Sequence, residues 1–522
     1  MSSLSSLADY LVTELDKKAA SNFDKKLSVN PVVSEVATLY EKFRNAMDYR
    51  EDDVLLRAAI ERILKRRLLL GGTGESIARP LVRELLWARY FPDSTVPESI
   101  VNEVEKNITL YQKLQQKIND QHKISRSDVN TWIIQLMSSE IARVLNPTKE
   151  KELISNFMYQ LYREKVLITD DTEQTRDVQV FIATRRAFAK EDLPLLRFHL
   201  FLQLFGDLKE DNVDKIALEF VDGFKEIETQ LNYKLKDKIF TFIKNQAVPF
   251  FILEDVFKKH KGEIRPLVSK ENEFNLVVLE SCSKQYRNIK AKVRRAIVRG
   301  VIFIFITKAI LALAVEGTYE SFIYGRVLWA SIALNTAIPP FLMVIVGAFI
   351  RTPGRENSLK VLDRINNIIY ANQDTQLNSI TLRKTPLKLN PFLNAIFVLL
   401  WILAISISLG AIVFVLDHLG FNRVSELVFI FFLAIVSFIS YRINQTAHMF
   451  TVSDDKQNLK SVFVDFFFMP IIHVGRNLTE NISKLNLLLF IFDYIIEAPF
   501  KGIFAFFEEW FLYLRTQREK LG

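Results

Sequence analysis

Residues 296–315 read AIVRGVIFIFITKAILALAV, and this stretch decides the class of fold. It is 20 residues long, which is the length that an α-helix needs to cross the hydrocarbon core of a bilayer. Three further windows of similar character follow at residues 327–350, 393–416 and 424–443. A buried core helix could explain any one of them, but four so close together predict a four-helix transmembrane domain at residues 296–443.

Basic residues are unevenly distributed around these windows. Seven lie at or just before the start of the first one, with no acidic residue among them: Lys284, Arg287, Lys290, Lys292, Arg294, Arg295 and Arg299. The loop after the second window is also basic, whereas residues 316–326 and 417–426 carry one arginine each. The positive-inside rule therefore predicts a cytoplasmic N-terminal half and C-terminus. We expect the seven basic residues to contact anionic lipid of the inner leaflet, and we expect no nucleic acid.

The composition of the whole chain hides this division. The 522 residues are 49% hydrophobic and 25% charged, and the mean hydropathy is only +0.12. Glycine occurs just 16 times, which disfavours β-sandwiches, β-barrels and glycine-rich nucleotide loops. The lone cysteine, Cys282, excludes an intrachain disulfide and is predicted to be a buried apolar side chain. Residues 1–18 predict a short amphipathic helix rather than a signal peptide.

Residues 1–290 carry apolar side chains at helical spacing, which predicts an all-α cytoplasmic domain. The motif PLVR at residues 80–83 and the motif PLLR at residues 194–197 are followed by apolar and acidic residues at identical spacings. This similarity favours two stacked, solenoid-like units at about residues 50–150 and 165–270. Stacked helical units commonly bind proteins, so by analogy we expect an unknown cytoplasmic protein partner.

Two shorter segments have patterns of their own. Residues 177–182 fit either a strand or a helix, while other strand patterns are nearly absent. Residues 355–372 place apolar side chains on one face of a helix: Leu359, Leu362, Ile365, Ile368 and Ile369. Such a helix is predicted to lie on the inner leaflet.

Charged residues inside a predicted span are candidates for a functional site, because they are costly in lipid. Lys308 lies well inside the first span. Glu316 follows at the outer end of the same helix, about 80° away around an ideal helical wheel. Lys308 could line a path for an ion or a substrate, or it could form a buried ion pair with a carboxylate such as that of Asp465.

The second span contributes further polar features. It carries Asn335 and the adjacent residues Pro339 and Pro340. A proline pair in the middle of a span predicts a broken helix, a feature of some transporter binding sites. With Lys308 and Glu316, these residues form a candidate intramembrane polar site.

Residues 461–522 form an aromatic C-terminal region. Its polar side chains fall within about 80° of one another on a helical wheel: Asp493, Glu497, Lys501, Glu508 and Arg515. Since a spanning helix would not keep such a polar stripe, the region is predicted to form interfacial or re-entrant helices. Packing between the bilayer and the cytoplasmic domain, or in an oligomer interface, would also account for the stripe.

Three stretches carry a resemblance: ITKAILALAVE at residues 306–316, IPP at 338–340 and DYIIEAPFK at 493–501. Together they resemble a group of uncharacterised bacterial multi-pass membrane proteins with a long helical cytoplasmic N-terminal region. The resemblance implies residence in a bacterial inner membrane and implies no activity.

No local motif of an enzyme is found, whether a nucleophile elbow, a phosphate loop or a His-Glu-x-x-His pattern. The six histidines lack the spacing of metal ligands. GGTGES at residues 71–76 predicts the end of one helix and the start of the next rather than a phosphate loop. The acid pairs at 170–171 and 454–455 are predicted to be solvated. We therefore expect no catalytic, cofactor-binding or metal site.

Three functions are compatible with these patterns. The first is a membrane-anchored helical interaction or scaffold protein. The second is a small transporter or channel that uses Lys308, Asn335 and the broken second span. The third is a lipid-organising or lipid-modifying protein, suggested by the aromatic C-terminal region and the basic segments.

Overall fold

The described part of the computed structural model is built almost entirely from α-helices, which confirms the predicted all-α class. It describes residues 4–17, 26–45, 52–121, 123–325, 327, 329–370, 377–385, 391–452 and several positions between 506 and 517. Several predicted polar residues lie outside the described residues: Asp454, Asp455, Asp465, Asp493, Glu497, Lys501, Glu508 and Arg515.

Short helices joined by turns make up the N-terminal part of the chain. They are α1 (Ser6–Leu15), α2 (Pro31–Asn45), α3 (Asp52–Leu69), α4 (Gly74–Trp87), α5 (Ser99–Asp120), α6 (Arg126–Leu145), α7 (Lys149–Tyr162), α8 (Glu173–Thr184), α9 (Leu193–Phe205), α10 (Val213–Leu231), α11 (Lys236–Gln246), α12 (Val248–Lys259) and α13 (Ile264–Val268). The more apolar helices follow: α14 (Glu271–Leu311), α15 (Thr318–Tyr324), α16 (Trp329–Phe349), α17 (Arg355–Ile369), α18 (Pro391–His418) and α19 (Arg423–Ala447). Two turns are π-helical, Arg185–Ala189 and Ala312–Gly317.

Polar residues in the connecting turns start many of these helices. The side chains of Thr172, Asp192 and Asn422 each accept a hydrogen bond from the backbone amide three residues further on. These bonds satisfy donors that the first turn of a helix leaves free. In the GGTGES stretch, Gly71 has a φ of 76° and Thr73 precedes α4, so the predicted helix end and helix start are confirmed.

Two hydrophobic cores hold the N-terminal helices together. One contains residues of α3–α6 and α8–α10. The other contains residues of α1, α7, α8 and α11–α14, and it continues into α16, α17 and α19. The cores cut across the predicted units at 50–150 and 165–270, because α9 and α10 pack with the helices of the first unit. Pro80 also lies inside α4 whereas Pro194 lies in the first turn of α9, so the two motifs are not equivalent.

Helix α14 runs without a break from the N-terminal helices into the first predicted span. Its 41 residues extend about 60 Å at 1.5 Å per residue. Phe274 and Cys282 in its first half and Ile304 in its second half are fully buried in the same core. The burial of Cys282 is as predicted. No helix end separates residues 1–290 from residues 296–443, so this helix joins the two regions.

Among the described residues, four helices are long and apolar enough to cross a membrane, as predicted: α14 with its continuation to Ile323, α16, α18 and α19. Helices α14, α16 and α19 pack against one another, whereas α18 leaves nearly all of its apolar surface exposed. The predicted break at Pro339 and Pro340 is wrong, because α16 is helical through both residues. Prolines are tolerated in apolar helices where neighbouring groups replace the lost hydrogen bonds.

A pair of parallel strands ties the loop between α17 and α18 to the N-terminal region. Strand β1 (Val166–Ile168) pairs with β2 (Ile380–Leu382). The sequence showed no strand pattern in either segment, and the ambiguous residues 177–182 lie in α8 instead. A strand of three residues is too short for an alternating pattern to identify.

The acid pair at 170–171 holds this loop in place. Asp170 accepts hydrogen bonds from the backbone amides of Lys384 and Thr385, and Asp171 is 2.6 Å from the Lys384 ammonium. Hydrogen bonds from Thr385 and Lys384 lower the pKa of Asp170 to about 2. Asp170 is exposed, in line with the prediction of a solvated pair, but both carboxylates also have partners more than 200 residues away in sequence, which was not predicted.

Helix α17 and the C-terminal region both contact the N-terminal helices. Ile365 and Ile368 of α17 are buried in the core shared with α12 and α14, while Leu359 on the predicted lipid face is 52% exposed. Phe511 packs against the small cluster that includes Trp87. Among the described residues of the C-terminal region, Phe511 makes this contact, and the interfacial or re-entrant helices predicted for residues 461–522 stay a prediction.

Candidate functional site

Lys308 lies near the end of α14, and its side chain is fully enclosed by neighbouring helices. Its ammonium group is 2.9 Å from Oε1 of Glu316, which is also fully buried. A charge in an apolar interior is very costly unless it is paired and hydrogen-bonded. Lys308 and Glu316 therefore form a buried ion pair within the first apolar helix.

The π-helical turn Ala312–Gly317 brings these two charges onto one face. In an ideal α-helix, residues 308 and 316 would be about 80° apart. A π turn holds one extra residue, which rotates the following residues back by about 100°. The remaining offset is only about 20°, so Glu316 lies over Lys308. The sequence has no recognisable signal for this turn.

Glu316 is also held by the two helices that pack against α14. Its Oε2 atom accepts a hydrogen bond from Nδ2 of Asn335 at 2.6 Å and another from Oγ of Ser425 at 2.8 Å. Asn335 belongs to α16 and Ser425 to α19, and both are fully buried. The carboxylate thus joins three helices through one charged and two neutral donors, which is the arrangement that a buried anion needs.

The opposite side of the pair is apolar. The Lys308 ammonium lies 5.2 Å from the centre of the Phe432 ring, a distance typical of a cation–π contact. Within the described residues, Oδ1 of Asn335 is a buried acceptor that has no hydrogen-bond partner. We call Lys308, Glu316, Asn335 and Ser425 the Lys308 cluster.

Further buried acids lie between the Lys308 cluster and the loop before α19. Glu320 accepts a hydrogen bond from Nδ2 of Asn422 at 2.9 Å, and Glu426 pairs with Arg423 at 3.0 Å. Both carboxylates are buried, whereas Arg423 is largely exposed. These contacts were not predicted, since the pattern Asn422-x-x-Ser425 reads as an ordinary helix start.

The two prolines lie one turn beyond Asn335 on α16. Without their amide hydrogens, the backbone carbonyls of residues 335 and 336 lose their usual helical donors. These carbonyls lie at the level of the Lys308 cluster and add polar surface there. The structure thus brings Lys308, Glu316 and Asn335 into contact as one site, with Pro339 and Pro340 beside it.

The seven basic residues predicted to contact lipid all lie on α14, before or at the start of its apolar half. All are exposed. Lys284 interacts electrostatically with Asp255 of α12, and Arg287 and Lys290 line a cavity at the start of α17. The charge of this segment therefore covers the exposed side of the helix just before its apolar half, while Ile289 and Val293 on the other side are buried in the core.

A second buried charge cluster lies in the N-terminal region and was missed by sequence reasoning. The π-helical turn Arg185–Ala189 precedes Glu191, whose Oε1 atom is 3.0 Å from Arg185 and 3.3 Å from Nε2 of His199. Arg57 of α3 pairs with the neighbouring Asp192 at 2.9 Å. A small cavity of about 60 Å³ adjoins these side chains.

The ionised form of the Glu191 side chain is strongly favoured over the protonated form at this position. Burial by itself would raise the pKa of Glu191, but the charges of the neighbouring His199 and Arg185 side chains, together with their hydrogen bonds, lower it to about 2. The carboxylate therefore stays ionised in its buried position. A π turn with a buried glutamate in it or close after it thus occurs once in the N-terminal helices and once in the apolar helices.

Within the part of the chain that the structure describes, no three His, Cys, Asp or Glu side chains are grouped as metal ligands. Comparison with models of protein families, with curated proteins and with solved structures gives no match. A function for this chain is therefore inferred from the geometry of the Lys308 cluster.

Proposed function

We propose that this chain is a membrane-anchored helical interaction protein, in which four apolar helices hold the N-terminal helices at the cytoplasmic face of a membrane. The observation that carries this proposal is that the Lys308 cluster is closed to solvent. Its four side chains come from three packed helices, bond to one another and are fully buried. A transport site needs polar groups that a solute can reach, whereas a closed ion pair supports a role in joining helices.

The connection between the two regions supports the same function. Helix α14 is continuous, and the core that it shares with the N-terminal helices also includes residues of α16, α17 and α19. An anchor of this kind would hold the N-terminal region in a fixed orientation. Exposed apolar side chains there, such as Leu70 and Leu218, would then be presented to a partner.

A small transporter or channel is the second candidate. The observation that favours it is the Oδ1 atom of Asn335, which has no hydrogen-bond partner among the described residues and lies beside the π turn. Such turns are frequent at functional sites. In this alternative, the Lys308 cluster would open during a cycle and expose its charges to an ion or a proton.

Cysteine accessibility in the full-length chain separates the two candidates. Cys282→Ser removes the only cysteine, and Ser425→Cys then places a thiol of similar size inside the Lys308 cluster. We expect this thiol to resist a membrane-impermeant reagent applied to either side of proteoliposomes. A thiol at Leu419, which is exposed just before α19, serves as the reactive control. Labelling of position 425 in the folded protein would contradict the closed anchor.

The interaction itself is tested with a photo-crosslinker at Leu70 or Leu218 of the full chain in its native membrane. We expect a discrete adduct with a second protein from at least one of these exposed positions. A crosslinker at the fully buried Ile60 is the control and should give none. The proposal would be rejected by the absence of adducts together with a solute flux that Lys308→Ala abolishes.

A further inference from the structure

A cavity of about 520 Å³ lies where the start of α17 meets the first half of α14. Three basic side chains line it, Arg287 and Lys290 from α14 and Arg355 from α17, and no acidic side chain does. The cavity therefore concentrates positive charge in a concave site. In the sequence, Arg287 and Lys290 are two of seven neighbouring basic residues, and nothing in the pattern distinguishes them from the other five.

These three cations have no ion-pair partner within the described part of the chain. The acid next to Arg355 in sequence, Glu356, lies 3.7 Å from Lys360 on the following turn instead. Like charges that converge on one cavity repel each other, and a bound anion would relieve that repulsion. This absence of an internal counter-ion points to an anionic ligand.

The wall of the cavity is held in place by hydrogen bonds behind it. Tyr286, which lines the cavity, accepts a hydrogen bond from Nδ2 of Asn357 at 2.6 Å. The same Asn357 bonds to the backbone of Phe450 and Val452 after α19. The first turn of α17 leaves backbone amides without helical acceptors, and these add donors at the cavity. The site is thus preorganised by three segments of the chain.

The position of the cavity relates it to a membrane surface. Lys290 precedes the apolar window at residue 296 by six residues, which corresponds to about 9 Å along α14. The cavity also includes residues 352–355, which directly follow the apolar helix α16. The headgroup layer on each side of a bilayer is roughly 5–7 Å thick. A headgroup at the outer margin of this layer could enter the cavity.

We propose that this cavity binds a phosphate group and that its source is the headgroup of an anionic phospholipid. Guanidinium groups such as those of Arg287 and Arg355 can each hold two phosphate oxygens, and Lys290 adds a point charge. The exposed side chain of Leu359 at the cavity offers apolar surface to the rest of the lipid. The lipid source rests on the proposed residence in a membrane, whereas the phosphate chemistry does not.

The test uses the purified full chain in a neutral detergent. Retention of phosphatidylglycerol is measured by native mass spectrometry, with phosphatidylcholine, inorganic phosphate and glycerol phosphate as parallel probes. The cavity variant is Arg287→Gln/Lys290→Gln/Arg355→Gln. The matched control is Lys209→Gln/Lys215→Gln/Lys225→Gln, which removes the same charge from exposed positions of the N-terminal region, away from the cavity and from the basic segment of α14. Unchanged melting temperatures of both variants establish that they fold.

We expect the cavity variant to bind phosphatidylglycerol at least about tenfold more weakly than the parent chain, and the control variant to lose no more than about twofold. Equal losses in the two variants would overturn the proposal, since they would indicate attraction by general surface charge. Cavity-dependent binding of inorganic phosphate without retention of the lipid would support the phosphate site and overturn its lipid source. This readout is independent of protein partners and of solute flux, so it does not depend on the anchoring function.

Discussion

At the scale of single residues, the buried charges are the most informative feature of this molecule. Lys308 and Glu316 are both inaccessible, and each compensates for the cost of burying the other. Glu191 is held in the same way by Arg185 and His199. In both places a carboxylate is surrounded by donors from different helices, so the charge specifies how those helices meet.

Removing Lys308 alone should therefore be more harmful than removing the pair. Lys308→Met leaves the Glu316 carboxylate buried without its counter-ion, and we expect a loss of about 3–5 kcal/mol in the free energy of unfolding. Lys308→Met/Glu316→Gln should recover most of this loss, because no charge is left buried. Denaturant unfolding in detergent measures both values. Lys292→Met, at an exposed position of the same helix, is the control and should change stability by less than about 0.5 kcal/mol.

A double variant no more stable than Lys308→Met would contradict this account of the pair.

The Glu191 cluster predicts a pH dependence. Since its folded-state pKa is about 2 and its ordinary value is 4.5, the ionised carboxylate stabilises the fold on the order of 3 kcal/mol above pH 4.5. This contribution should be lost as the pH falls from about 4.5 to about 2. The stability difference between the parent and Glu191→Gln should therefore shrink as the pH falls through that interval. Glu226 is exposed, so Glu226→Gln is the control and should show no such trend. A stability difference between the parent and Glu191→Gln that persists at pH 2 would contradict the lowered pKa of Glu191.

At the scale of helices, the π turn Ala312–Gly317 decides whether the Lys308 cluster forms at all. It changes the angular offset between residues 308 and 316 from about 80° to about 20°. Helix α16 shows the opposite behaviour, because a proline pair that predicts a break is accommodated without one. Local irregularity in these helices is thus set by the contacts they make and not by the residues that usually signal it.

Changing the length of this turn should test its role. Deleting Ala314 would place the glutamate seven positions after Lys308 instead of eight, and a regular α-helix turns the two residues to within about 20° of each other at that separation. We expect this deletion to cost no more than about 1 kcal/mol. Inserting one alanine after Ala314 rotates Glu316 by about 100° and should destabilise the chain as much as Lys308→Met does. Both free energies of unfolding are measured in detergent. Similar losses for the deletion and the insertion would contradict the claim that the π turn sets the rotation of Glu316 relative to Lys308.

At the scale of the whole molecule, the N-terminal helices and the apolar helices are not independent units. Helix α14 contributes Phe274 and Cys282 to a core that also contains Ile365 of α17 and Val428 of α19. Asp170 and Asp171 add a second connection, to the loop before α18. The other core, formed by α3–α6 and α8–α10, does not include residues beyond 231.

A fragment of residues 1–290 should therefore be stable in one part and unstable in another. It cuts α14 and removes α17 and α19, and each large aliphatic side chain that becomes exposed to water as a result costs about 1.5–3 kcal/mol. We expect hydrogen exchange in residues 271–289 to become fast in the fragment, while α3–α6 remain protected as in the full chain. Equal protection of residues 271–289 in both proteins would show that the N-terminal region folds alone.

Much of this architecture follows from patterns within single segments. Apolar runs of about 20 residues identified the four candidate spans, and helical spacing identified the all-α class. The cost of polar groups in lipid selected Lys308, Glu316 and Asn335, which the structure brings together. The broken second span was wrong, and the partners of the acid pair at 170–171 were missed, because a local rule takes no account of contacts with distant segments.

Hydropathy, charge and periodicity are properties of neighbouring residues, so the sequence by itself determined the fold class, the four apolar helices and the candidate polar residues. The recruitment of Ser425, the π turn that aligns Glu316 with Lys308, and the cavity of Arg287, Lys290 and Arg355 were decided only by the tertiary structure. Each of these depends on which helix faces meet and at what rotation, and packing of helices far apart in sequence sets both.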